Sequence, residues 1–100
     1  MTARRRLPDR RASISFNFEC AGLAYTATFS RFPDGRVAEV FLTNRKASSQ
    51  SDVNARDAAV AASLAFQHGC PIDELRGALL RDSTGRAVSP LGCALDIIAH

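Results

Sequence analysis

Seven cations stand out for the chemistry they could do. Arg4, Arg5, Arg6, Arg10 and Arg11 crowd the first eleven residues, and Arg45-Lys46 form a second pair further along. Guanidinium groups fork onto phosphate oxygens, so this set suits contact with RNA, DNA or a nucleotide. The competing reading is a solvated tail whose last arginines pair with acids on the body of the protein. No aromatic residue is interleaved with the arm to stack on bases, which weakens the nucleic-acid reading.

The remaining chemistry-bearing side chains are sparse. Cys20, Cys70 and Cys93 are odd in number and widely spaced, without a Cys-x-x-Cys pair. That usage fits reduced thiols in a cytosol, each a small buried residue, better than a disulfide framework. Cys70 lies two residues after His68, but two ligands do not make a zinc site. A helix start at Cys70 would lower its pKa. His68 and His100 are the two histidines, and no serine elbow, His-Glu zinc motif or phosphate loop accompanies them. Glu39, which interrupts an apolar run, is the carboxylate to watch. It is expected to be exposed on an edge or outer face, or paired with an arginine of the segment before the first strand. Catalysis would need a pocket that brings Cys70 or Glu39 to His68. The sequence therefore points to no catalytic residue, no metal and no cofactor.

Charge is unevenly divided. Five arginines against Asp9 give residues 1–11 a charge of +4, while the other 89 residues hold eight bases and nine acids and carry −1. The chain is a near-neutral body with a basic arm, not a basic domain. One hundred residues, 46% apolar and 23% charged, make one ordinary core. Six phenylalanines without tryptophan suggest packing more than recognition. No apolar run reaches the roughly 20 residues of a membrane span, and the early arginines lead into Pro8-Asp9 rather than a signal's apolar stretch. The expectation is a cytoplasmic protein with no membrane contact.

The elements that must position these groups follow from periodicity. Residues 1–12 read as an extended basic arm and 13–100 as one domain. Ser13 to Glu19 alternates strictly, with Ile14, Phe16 and Phe18 on one face, a half-buried strand. A second strand, 23–32, places Leu23, Tyr25, Ala27 and Phe29 on one face. Pro33-Asp34-Gly35 is a turn signal, since proline presets φ, aspartate bonds the backbone ahead and glycine accepts positive φ. The third strand, 36–43, is apolar on both faces apart from Glu39, and so belongs in the centre or beneath a helix. Ser51 is the expected N-cap of a long helix ending at His68, with Gly69 just past its end. Val53, Val60 and Leu64 share one face of it, and six alanines widen the apolar surface, so the helix is expected between the sheet and another layer. Pro71 opens a second helix at its first position. Ser89-Pro90 opens a third, Leu91 to about Ala99, with Leu91, Leu95 and Ile98 in one stripe. The order βββααα implies a two-layer α+β domain, a three-stranded antiparallel meander followed by three helices on one face.

These residues also form a pattern. Arg6-Leu7-Pro8-Asp9-Arg10-Arg11 precedes the first strand, Phe32-Pro33-Asp34-Gly35-Arg36 leads into Ala38-Glu39-Val40-Phe41-Leu42, Lys46 follows in the loop, and Gln67-His68-Gly69 leads into Pro71. The pattern resembles the TSCPD domain, found near the C-terminus of adenosylcobalamin-dependent ribonucleotide reductases and as small stand-alone proteins. The resemblance spans about residues 5–99. It implies that Leu7 to Arg11 belong to the lead-in of the domain, which leaves Arg4-Arg5-Arg6 as the free basic cluster. The catalytic barrel of the reductase, with its radical cysteine, redox pair and cobalamin site, has no counterpart in this sequence. The implied role is a non-catalytic accessory or interaction module, linked through its ancestry to deoxyribonucleotide metabolism, which binds a protein partner or a second copy of itself. The alternative, from a different class, is phosphate binding through Arg4, Arg5, Arg6, Arg10, Arg11, Arg45 and Lys46.

Overall fold

The computed structural model describes residues 3–5 and 12–100. Strands β1 (Ser13–Cys20), β2 (Leu23–Arg31) and β3 (Val37–Asn44) form an antiparallel sheet in the order β1-β2-β3. Helices α1 (Gln50–Gln67), α2 (Ile72–Ala78) and α3 (Pro90–Ile98) follow. The expected α+β meander and helix order are observed.

Local chemistry accounts for the connections. Ala21 and Gly22 both have positive φ, 52° and 79°, the geometry of a two-residue turn that matches strand twist. At the next turn Gly35 takes φ 91°, and Asp34 Oδ1 accepts the Arg36 N–H at 3.0 Å. The Arg5 guanidinium beside it, with that backbone N–H, holds the Asp34 carboxyl below the usual carboxylate range. Helix α1 ends as expected: Gly69, at φ 99°, donates to the Phe66 carbonyl and Cys70 to that of Ala65. Those two bonds satisfy carbonyls that the helix end would leave open.

The helix start differs from expectation. Ser49, not Ser51, is the N-cap: its backbone is extended and its hydroxyl accepts from the Asp52 N–H at 3.1 Å. Pro71 likewise stands at the cap of α2 rather than at its first position, whereas Ser89 caps α3 and Pro90 follows it, as expected.

The larger correction concerns which face of α1 is buried. Val53, Val60 and Leu64 are exposed, Val60 by 55%, and no second layer covers them among the described residues. Ala55, Ala59, Ala62 and Phe66 face the sheet instead, together with the polar Asp52, Ser63 and Gln67. Alanines bring the helix axis close to the strands, and closeness lets the polar side chains reach β3.

The core lies between this alanine face, the apolar side of α3 (Leu91, Ala94, Leu95, Ile98) and one face of the sheet, where Phe18, Tyr25, Ala27, Phe29, Val40 and Leu42 are buried. Ile14 and Leu23, expected on that face, lie at strand ends and are exposed. Phe66, 2% exposed, adds about 2–3 kcal/mol of burial.

Candidate functional site

Strand β3 is an edge strand, so alternate backbone groups along its free side have no strand partner. Helix α1 supplies the missing partners. Ser63 Oγ accepts the Val40 N–H at 2.9 Å and donates to the Val40 carbonyl at 3.0 Å. Gln67 Nε2 donates to the Ala38 carbonyl at 3.1 Å. Asp52 accepts from the Asn44 N–H at 2.9 Å and from the Ser48 N–H at 3.0 Å. Those two backbone bonds, with the Arg56 ion pair, hold the Asp52 carboxyl below its ordinary pKa. The helix therefore serves as the fourth element of the sheet, fixed in register by three polar residues, and its opposite face is left to solvent.

That outer face carries an apolar stripe. Val53, Asp57, Val60 and Leu64 fall within an arc of about 60° at 3.6 residues per turn. All four are exposed, and the Asp57 carboxylate borders the three apolar side chains at one edge of the arc.

Among the described residues the predicted cations do not converge. Arg4 Nε donates to Gln67 Oε1 at 2.6 Å, and the Arg5 N–H donates to the Gln67 carbonyl at 2.6 Å. Arg5 also pairs with Asp34 at 2.7 Å and lies 4.0 Å from the Phe32 ring centroid. Both arginines are thus engaged with the body at the Pro33-Asp34-Gly35 end of the sheet. Arg45 and Lys46 are exposed at the other end of β3, a strand length of about 25 Å away. Arg6, Arg10 and Arg11 lie outside the described residues.

Glu39 is not exposed, contrary to one of the two expectations for it. It is 7% accessible and sits opposite Ser30, also buried, on the sheet face turned away from the helices. Its expected pairing with Arg10 or Arg11 lies outside the described residues. The cavity at Cys70 is lined by Arg31, Arg36 and Val37 with Pro71 and Ile72, and neither His68 nor Glu39 borders it. The His68 ring bonds the Leu64 carbonyl at 2.9 Å. A second cavity, about 380 Å³ between α1 and the start of α3, is bordered by Tyr25, Asn54 and Leu79, and no charged side chain among the described residues lines it.

Two groups were not singled out by sequence reasoning. Asp96 of α3 receives Arg81 at 2.8 Å on both of its oxygens and Arg76 at 3.0 Å. The Arg81 bonds pull its carboxyl down to about 2. The second is a thiol pair, since Cys93 Sγ stands 3.4 Å from Cys20 Sγ. Cys70 alone keeps apart. No local signal announces this pair, because the two residues are 73 positions apart.

No family model matches the chain, and no solved structure matches it. Among curated proteins, the vitamin B12-dependent ribonucleotide reductase of Rhodopirellula baltica is 36% identical over 70 residues. This chain is similar to one segment of that enzyme. The match covers 70% of the chain and 7% of the reductase, so the chain spans a small part of its relative's length. The matched segment is far shorter than the reductase itself.

Proposed function

We propose that this chain is a non-catalytic interaction module of TSCPD type. It docks through the outer face of α1 onto a vitamin B12-dependent ribonucleotide reductase, in the cytoplasm, and so bears on deoxyribonucleotide supply. The single observation that carries this reading is the α1 stripe: three exposed apolar residues on a helix whose other face is locked to β3. A surface helix normally turns such a stripe inward. Here the inward face is taken by Ala55, Ala59, Ala62 and Phe66 together with Ser63, Gln67 and Asp52, and Val53, Val60 and Leu64 are presented outward on a fixed support.

Asp57 argues for the nature of the partner. Two copies packed antiparallel through the stripe would bring both Asp57 carboxylates into one seam, and like charges in a desolvated contact cost affinity. A different chain with apolar side chains and a lysine or arginine opposite Asp57 fits better. The similarity to a segment of the reductase supports that enzyme as the source of the partner surface. The phosphate reading is weaker, because Arg4 and Arg5 already hold Gln67 and Asp34.

The test is sedimentation of the purified chain with a purified B12-dependent reductase from the same source. Co-sedimentation in a defined ratio is the expected result. Independent sedimentation of both, with this chain strictly monomeric, would contradict the proposal, and self-association without reductase binding would assign the stripe to a second copy.

A further inference from the structure

We propose that Cys20 and Cys93 form a reversible dithiol–disulfide modification site that takes a hydroperoxide as its oxidant and, once closed, ties the sheet to α3. Three features place it. The sulfurs are 3.4 Å apart, in contact and about 1.4 Å beyond bonding distance, a gap that side-chain rotation can close. Each sulfur is aimed by a backbone carbonyl, Cys20 by that of Val88 at 3.7 Å and Cys93 by that of Ala87 at 3.5 Å. A cavity of about 340 Å³, bordered by Cys20, Cys93, Glu19 and Arg86, opens onto both, so a small oxidant has a route in.

The step balances without a metal or cofactor. A thiolate of the pair attacks one peroxide oxygen, the O–O bond breaks, and hydroxide leaves with sulfenic acid formed on sulfur. The second thiol attacks that sulfur, the S–O bond breaks, and water leaves. In sum two thiols and one hydrogen peroxide give one disulfide and two waters, with two electrons passing from sulfur to oxygen. A small dithiol reverses the change by exchange, becoming a cyclic disulfide itself.

The bond would join the last residue of β1 to the first turns of α3, closing a loop that contains most of the domain. By loop-closure entropy, a closure of this length raises the melting temperature by about 20 °C. Cys70, outside the pair, is the internal control.

The experiment treats the full chain with hydrogen peroxide at pH 8, then maps disulfide-linked peptides by mass spectrometry and measures melting with and without dithiothreitol. The expected result is a Cys20–Cys93 linked peptide, in large excess over any link through Cys70. The melting rise should be reversed by dithiothreitol and retained in Cys70→Ala. If both thiols remain alkylatable after denaturation, or if peroxide couples Cys70 instead, the proposal is overturned. The linked peptide is mapped in the unsubstituted protein, so the test does not depend on how any cysteine variant folds.

Discussion

Helices α1 and α3 both bury apolar side chains against the same sheet face, and they differ in the polar contacts that fix them there. Helix α1 is fixed by neutral or backbone-directed bonds: Ser63 to Val40, Gln67 to Ala38, Asp52 to Asn44. These are directional and short, and they complete the open edge of β3. Helix α3 is held by apolar burial of Ala94 and Leu95, by the Arg76–Asp96–Arg81 ion cluster, and by a thiol contact to β1. The first kind of fixation suits the docking face proposed for α1. A joint that can be tightened by a covalent bond suits the second.

The largest expected effect is at the α1 clasp. Ser63→Val removes both bonds to Val40 and leaves buried backbone groups unpaired, a loss of about 3 kcal/mol in urea unfolding. Ser89→Ala removes the α3 cap bond to Gly92 and costs only about 1 kcal/mol in the same assay. Equal losses would erase the contrast between the helices.

Acid weakens both anchors, and salt separates them. Asp96 and Asp52 both have lowered folded pKa values, Asp96 to about 2. A depressed carboxylate stabilises the fold above its unfolded pKa, near 3.9, and loses that contribution as pH falls toward the folded value. Thermal melts should therefore weaken between about pH 4 and pH 2. Added salt at pH 7 should lower the contribution of Asp96, read by Asp96→Asn, more than that of Asp52, because ion pairs are screened and backbone bonds are not. An Asp52→Asn effect that falls equally with salt would count against this assignment.

A smaller effect is kinetic. Burial, then the hydrogen bond with Cys20, pushes the Cys93 thiol up to about 11, with Asp96 and Arg81 the other charged groups acting on it. Alkylation of Cys93 in the folded reduced protein should be slow at neutral pH and accelerate roughly tenfold per pH unit toward 11. A rate that levels off near pH 8.5 would show an unperturbed thiol.

Much of the fold was legible because local rules and tertiary packing agreed. Alternation in β1, the Asp34-Gly35 turn and Gly69 after α1 each follow from backbone chemistry that needs no distant partner. The orientation of α1 was not legible. Hydrophobic patterning assigns Val53, Val60 and Leu64 inward, whereas the free edge of β3 needs hydrogen-bonding side chains and draws Asp52, Ser63 and Gln67 there. The same limit hid the thiol pair, which is created only when β1 and α3 meet, and the burial of Glu39, whose apolar strand gave no sign of what lies over that face.

The central claim is that the outer face of α1 is for docking and not for folding. Its most direct test is calorimetric titration of the B12-dependent reductase with the native chain and with Val60→Asp. The account predicts a change in stability within about 0.5 kcal/mol, as for an exposed position, together with at least a tenfold loss of affinity. Unchanged affinity in a folded Val60→Asp protein would contradict it.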